Sequence, residues 1–143
     1  MRKIKALLLC LMFPVALMAS IWETQYKQVE QGIRTPQFPD RTFLITKYGA
    51  SLKATAAKNQ KAINKAIEAC SKAGGGKVVV PEGVWNTGAI TLKSHVNLVI
   101  EKGATLLFAF DRSLYPLVPT RWEGLDCWNY QPMIYAYQAT DVA

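Results

Sequence analysis

The sequence is poor in the residues that build metal centres and disulfide scaffolds. It has one histidine, His95, and three cysteines in 143 residues. No cysteine, histidine or aspartate accompanies His95 at the spacing of a zinc site, so we predict a surface turn residue and no metal there. The sequence also gives no reason to expect another cofactor.

Long runs of one charge and long apolar runs are missing too. No five basic residues stand together and no nucleic-acid-binding motif occurs, so nucleic acid is not an expected partner. The longest uninterrupted apolar stretch, residues 6–19, has 14 residues. A helix that crosses a bilayer needs about 20, so this length argues against a membrane span.

The same stretch has the pattern of a secretory signal peptide. Arg2, Lys3 and Lys5 precede the apolar run, and the small residues Ala19 and Ser20 follow it. We therefore predict a signal peptide over residues 1–19 and an exported protein, periplasmic or extracellular, with no stable membrane span after cleavage. An uncleaved membrane anchor is the alternative. Without this segment the chain has 14 basic and 10 acidic residues, a net charge of +4, which suits an anionic polysaccharide or an inert surface.

Two cysteines, Cys70 and Cys127, remain after such cleavage. An oxidising compartment would permit a disulfide between them. Cys70, however, shares the apolar stripe of a predicted helix with Ile63 and Ile67. A buried free thiol is therefore the favoured interpretation, since cysteine often serves as a small core residue.

The rest of the chain divides into a predicted extended leader, residues 20–41, and one domain, residues 42–143. In that domain we predict a strand over 42–48 and a helix over 59–73, which Gly74 and its two following glycines end. Short apolar runs come next, each closed by a turn. They cover residues 78–80, 84–92, 96–100 and 104–110. Runs this short and closely spaced fit a β-sandwich or a β-helix.

The spacing of these runs favours the β-helix. Residues 78–80 and 97–100 lie about twenty residues apart, and residues 90–92 and 105–108 about fifteen, as successive coils would. A solenoid also needs a cap over its open apolar end, and the amphipathic helix supplies one. We therefore predict an all-β fold, a right-handed parallel β-helix, with a short amphipathic capping helix whose Ile63, Ile67 and Cys70 face the first coil.

Several short motifs follow one another along the chain. They lie at residues 38–40, 45–50, 62–67, 74–81, 87–94, 97–98, 103–106 and 120–124. This set resembles the N-terminal region of glycoside hydrolase family 28, which contains polygalacturonases and rhamnogalacturonan hydrolases. The segment Arg121-Trp122-Glu123-Gly124 resembles the bacterial, exo-acting members.

The resemblance implies an exported glycosidase that hydrolyses galacturonosyl linkages, with a pectic polysaccharide or oligogalacturonide as substrate. The chain departs from the family pattern in the loop 51–58, which lacks the usual Asp-Gly. It also lacks the family's catalytic segments, Asn-Thr-Asp, Asp-Asp, Gly-His-Gly and Arg-x-Lys. We therefore expect an N-terminal part truncated at the C-terminus, with no catalytic residue and no activity alone. A non-catalytic glycan-binding or structural β-helix, or a pectate lyase-like protein, are the alternatives.

The most plausible binding segment is residues 110–131, predicted as a loop of about twenty residues, a length that is usually functional or disordered. Aromatic rings offer flat apolar faces for sugars, and arginine can hold a carboxylate through two parallel hydrogen bonds. Arg121, Trp122 and Glu123 are accordingly the predicted substrate-binding residues. In the alternative interpretation the rings cover the side of the β-helix, and Arg121 pairs with Glu123 or Asp126.

Overall fold

The computed structural model describes residues 25–143. The chain forms two compact units, and the boundary between them in the sequence falls between Thr35 and Pro36. The predicted signal peptide lies outside the described residues. Among the residues that the structure does describe, no helix combines the length and the hydropathy needed to cross a membrane.

The described part of the first unit is an exposed helix, α1, over residues 25–32. The prediction of an extended leader is therefore wrong for this segment. Its glutamines, lysine and glutamate have good helix propensity, and no glycine or proline interrupts them. Gly32 ends the helix and Pro36 follows, so the chain is extended only after this point.

The second unit opens with strand β1 (Thr42–Leu44), a 3-10 turn (Ile45–Tyr48) and helix α2 (Ala56–Lys72). Only the first part of the predicted strand over 42–48 is a strand. The second part is the 3-10 turn, which buries Ile45 and is followed by Gly49 with a φ of 102°. Helix α2 begins three residues earlier than predicted. The hydroxyl of Thr55 accepts a hydrogen bond from the backbone N–H of Lys58 and so caps the helix.

Helix α2 covers the apolar interior of the strands with one stripe of side chains. Ile63, Ile67 and Cys70 are fully buried and belong to one core cluster with Val78 and Trp85. The prediction that these helix residues face the first coil is confirmed.

Cys70 and Cys127 are free thiols, and Cys70 is the buried one that the helical stripe predicted. Burial raises the pKa of the Cys70 thiol, while the charge of Arg41 opposes the shift. The group therefore stays protonated and serves as core.

Consecutive glycines end helix α2 in a Schellman motif. The backbone N–H of Gly74 donates to the carbonyl of Ser71 at 3.0 Å, and that of Gly75 to the carbonyl of Cys70 at 2.9 Å. Gly74 and Gly75 have φ angles of 84° and 101°, which suit glycine. At Gly75 a Cβ would also lie 2.6 Å from the backbone oxygen of His95, so the strand after the helix can pass close to the next coil only without a side chain.

Eight further strands follow helix α2. They are β2 (Gly76–Val80), β3 (Gly83–Thr87), β4 (Ile90–Thr91), β5 (Val96–Ile100), β6 (Ala104–Phe108), β7 (Leu117–Trp122), β8 (Leu125–Tyr130) and β9 (Ile134–Tyr135).

Most of these strands pair in parallel, coil upon coil. The sheets are β1-β2-β5, β3-β6 and β4-β9, so β2, β3 and β4 form one turn of the chain and β5, β6 and β9 lie against them in the next. Val78 pairs with Leu98, which confirms the predicted twenty-residue repeat at this sheet. Near the C-terminus the chain comes back to the first sheet, since the N–H of Leu98 donates to the carbonyl of Ala143 at 2.7 Å.

The predicted match of residues 90–92 with 105–108 is wrong. β4 pairs with β9, Ile90 with Ile134, while β6 pairs with β3. The second coil contains an insertion between β6 and β9, and a fixed repeat length cannot reveal an insertion.

That insertion contains an antiparallel hairpin of β7 and β8, so the prediction of a loop over residues 110–131 is wrong. Glu123 and Gly124 form its two-residue turn with φ angles of 48° and 87°. A turn with both central φ angles positive matches the twist of paired strands. Pro119 within β7 hides the strand pattern, because proline is tolerated in sheets mainly at edges.

Candidate binding cleft

One face of the hairpin forms a cleft of about 480 Å3 together with strand β9 and the residues that follow it. Side chains alternate between the two faces of a strand, so Arg121 and its cross-strand neighbour Asp126 lie on the same face as Trp128. Tyr135 and Tyr137 complete the wall. The cleft therefore combines one cation, one carboxylate and three aromatic rings.

Arg121 is held loosely at this face. Its Nε donates to the carbonyl of Gly124 at 3.1 Å and lies 3.9 Å from a carboxylate oxygen of Asp126. The Arg121 side chain is 72% exposed and that of Asp126 94%, so this long contact is a weak ion pair. The terminal guanidinium nitrogens of Arg121 make no hydrogen bond to any residue of the described part of the chain and can receive an anion.

The aromatic wall is better fixed. Tyr135 and Tyr137 stack with ring centroids 6.3 Å apart and planes within 3° of parallel. The hydroxyl of Tyr135 donates to the carbonyl of Pro119 at 2.6 Å and so ties the hairpin to strand β9. Trp128 is 70% exposed on the hairpin face. Flat apolar rings of this kind can receive the apolar face of a sugar.

The structure separates the three predicted binding residues. Arg121 lines the cleft, Trp122 lies on the opposite face of the hairpin beside Leu125, and Glu123 occupies the exposed turn. One sugar cannot contact both Arg121 and Trp122, because successive side chains of a strand point in opposite directions. The roles of these three residues remain predictions.

Sequence reasoning missed Tyr135 and Tyr137 as cleft residues because both lie beyond the predicted loop. Their spacing of two residues at strand β9 was the available signal, since residues i and i+2 face the same way in an extended chain. Trp128 was within the loop, but its position on the face of Arg121 follows only from the hairpin register.

A second cleft of about 400 Å3 lies at the base of the hairpin, lined by Phe110, Arg112 and Tyr130 among others. The guanidinium of Arg112 lies 5.1 Å from the ring centre of Tyr130, a cation–π contact. Hydrogen bonds from the side chain and backbone of Ser113 lower the pKa of the nearby Asp111 carboxyl. Arg112 and Asp111 are thus already engaged in contacts within the protein. This cleft therefore has fewer polar groups available to a ligand than the first cleft.

His95 is a surface turn residue, as the sequence predicted. It is exposed, has a φ of 65°, and its Nδ1 lies 3.2 Å from a carboxylate oxygen of Asp141. Within residues 25–143, no three histidine, cysteine, aspartate or glutamate side chains come together as a set of metal ligands.

The chain is similar in sequence to polygalacturonases. A comparison with models of known protein families gives no match. A curated relative, the exo-poly-alpha-D-galacturonosidase of Dickeya chrysanthemi, is 46% identical over 72 residues, which are 50% of this chain and 12% of that protein.

Two solved structures agree with this. A hyperthermoactive exopolygalacturonase from Thermotoga maritima matches with a TM-score of 0.71 and 37% identity over 81% of this chain and 27% of that chain. A family 28 exopolygalacturonase from Yersinia enterocolitica matches with a TM-score of 0.59 and 27% identity over 71% of this chain and 17% of that chain. The resemblance to glycoside hydrolase family 28 is confirmed, and the chain spans about a quarter or less of these proteins.

Proposed function

We propose that this chain is the N-terminal part of an exported glycoside hydrolase that cleaves galacturonosyl linkages in pectin from a chain end. We propose further that its parallel coils begin a right-handed β-helix, with α2 as the cap, and that residues 1–19 direct export to the periplasm or beyond. The relatives named above are exo-acting galacturonosidases, which supports the activity. The parallel pairing of strands from successive turns of the chain supports the fold.

The cleft of Arg121 carries this proposal. A galacturonic acid unit presents a carboxylate and an apolar ring face. Arg121 offers a planar cation to the first, and Trp128, Tyr135 and Tyr137 offer rings to the second. The chain thereby supplies a substrate-binding subsite, and we assign no catalytic residue to it.

The isolated chain is expected to release no reducing sugar from polygalacturonate or rhamnogalacturonan. Inverting hydrolysis needs two carboxyl groups about 6.5–9.5 Å apart, one as acid and one as base. In the cleft only Asp126 is acidic, and it lies beside Arg121. A reducing-sugar assay over a long incubation checks this. Turnover that disappears when one acid of this chain is replaced would show that the catalytic pair is here.

Arg121→Lys and Arg121→Ala are both expected to weaken binding of oligogalacturonate about ten- to hundredfold. Lysine keeps the charge but loses the planar two-pronged geometry, so it should not restore affinity. A charge-assisted hydrogen bond of this kind contributes about 1.5–3 kcal/mol. Titration calorimetry measures the affinity, with Lys102→Ala as the control for an exposed charge away from the cleft.

Melting temperatures recorded on the same samples separate binding from folding. If both Arg121 variants melt several degrees lower yet bind normally when folded, Arg121 stabilises the hairpin through Gly124 and Asp126. The assignment of Arg121 to a substrate carboxylate would then be wrong.

A non-catalytic glycan-binding module is the second candidate, because the cleft has every group needed for binding and none is committed to chemistry. The two functions differ in the continuation of the reading frame. An open frame that encodes the family's catalytic segments supports the hydrolase, and a stop codon after residue 143 supports the binding module.

A further inference from the structure

A basic groove runs along the exposed side of helix α2. Its lining differs from that of the hairpin cleft, although Thr91 of the groove pairs with Tyr135 of the cleft. The groove has a volume of about 750 Å3 and is lined by Gln60, Lys61, Asn64, Lys65, Glu68 and Lys93 among others. Helix α2 contributes most of it, and Lys93 follows strand β4. None of its lining residues lines the cleft of Arg121.

The lysines of helix α2 form a stripe. Lys58, Lys61, Lys65 and Lys72 follow at steps of three, four and seven residues, all exposed, on the side opposite the buried stripe. Glu68 is the one acid in this row, and Lys72 binds it at 2.7 Å. Lys72 also lowers the pKa of the Glu68 carboxyl, first by its hydrogen bond and then by its charge.

The other lysines of the groove are only weakly compensated: Glu68 is the acid beside them, and the charge of Lys93 also lowers the pKa of its carboxyl. Within the described part of the chain, no carboxylate lies at ion-pair distance from Lys61, Lys65 or Lys93. Lys61 and Lys65 are also four residues apart, where like charges destabilise a helix. Lys58 stands in the first turn, where the helix dipole disfavours a cation and no acid is present. Helix stability therefore does not explain this arrangement.

The floor of the groove is rigid. The side-chain amide of Gln60 donates to the carbonyls of Ala89 and Leu114 at 3.0 and 2.8 Å. Asn64 donates to the carbonyl of Ala89 and accepts from the N–H of Thr91 at 2.9 Å. These hydrogen bonds hold helix α2 against the coils, so the backbone that carries the lysines is held in place.

We propose that this groove holds a stretch of polyuronate chain as an ancillary site, separate from the cleft of Arg121. The inference rests on the proposed function, which supplies the carboxylate-bearing polymer. Lys61 and Lys65 lie about 6 Å apart along the helix axis and can meet successive charges of such a chain. The groove has no aromatic ring and no arginine, the groups that stack on bases and grip phosphates, so a polyuronate fits it better than a nucleic acid.

The test compares two triple variants of the whole chain that remove the same charge. Lys61, Lys65 and Lys93 are replaced by glutamine in the groove variant, and Lys47, Lys53 and Lys102, all exposed outside the groove, in the control. Binding of polygalacturonate is measured by calorimetry at about 25 and about 150 mM NaCl, since exposed charges are screened over this range. We expect the groove variant to lose affinity about tenfold at low salt and the control less than twofold.

Further arms separate this site from the cleft and from other polyanions. Arg121→Ala should leave the groove-dependent part of polymer binding in place, and fully methyl-esterified pectin should bind to the groove weakly. Equal losses in both triple variants would overturn the proposal, because binding would then depend on net charge alone. Groove-dependent binding of duplex DNA without binding of polygalacturonate would overturn it as well. If Arg121→Ala abolishes all binding, the proposed function stands and the ancillary site is wrong; if neither change matters, both fail.

Discussion

Gly75→Ala is expected to lower the free energy of unfolding by about 3–5 kcal/mol. The φ angle of 101° is strained for any residue with a Cβ, at a cost of about 1–3 kcal/mol. The new Cβ would also lie 2.6 Å from the backbone oxygen and 2.7 Å from the Cβ of His95. A backbone atom cannot change position as easily as the end of a flexible side chain. Helix α2 and the second coil must therefore move apart to relieve the clash.

Gly74→Ala is the matched control for that experiment. Gly74 has a φ of 84°, but the nearest atoms to an added Cβ are those of the Arg41 guanidinium, 3.9 Å away. It should therefore show the conformational cost alone, about 1–2 kcal/mol. Chemical denaturation of both variants gives the comparison. If the two lose equal stability, the close approach of Gly75 to His95 is relieved without cost and our account of this junction is wrong.

Asn59→Leu is expected to cost about 2–4 kcal/mol of stability although it puts a larger apolar side chain into the core. Asn59 is fully buried, accepts from the N–H of Ser51 at 2.9 Å and donates to the carbonyls of Ser51 and Asn86, both at 3.0 Å. Leucine leaves all three backbone groups without this partner, and each unsatisfied buried group costs about 1–3 kcal/mol. Partial exposure of Ser51 to water keeps the total below the simple sum.

The control introduces the same side chain one residue earlier, on the exposed side of the helix. Lys58→Leu should change stability by about 0.5 kcal/mol or less. Urea denaturation monitored by tryptophan fluorescence is suitable, since Trp85 is buried in the same core. Equal stability of Asn59→Leu and wild type would mean that apolar burial offsets the lost hydrogen bonds.

The sequence was sufficient for the parts of the fold that depend on local pattern. Two apolar patterns in the sequence indicate their secondary structure directly. The spacing of Ile63 and Ile67 is that of a buried helix face, and the β-branched run of β2 is that of a buried strand. The repeat between β2 and β5 followed for the same reason. Helix α1 was missed because its polar residues have propensity without an apolar face, and propensity alone is a weak signal.

Less of the candidate site could be predicted from the sequence. Arg121 was found through its aromatic surroundings, but its partners depend on register. Trp128 shares its face because β8 pairs with β7 across a Glu123-Gly124 turn, and Tyr135 joins because β9 pairs with β4 from 44 positions away. The pairings that bring Trp128 and Tyr135 to Arg121 are long-range, so no local pattern contains them. The separation of Arg121 from Trp122 is a local result of strand alternation, and it was missed because residues 110–131 were predicted as a loop.

The inserted hairpin has a consequence for engineering of the chain. Ile90 pairs with Ile134, a separation of 44 residues, whereas Val78 pairs with Leu98, a separation of 20. Loop-closure entropy rises only with the logarithm of length, so the longer second coil costs about 0.7 kcal/mol more to close than a coil without the insertion. The tip at Gly124, where an added Cβ would meet nothing within 4 Å, is therefore a permissive place for grafting a foreign peptide. The pairing of β4 with β9 should keep its register when the tip of the hairpin is replaced.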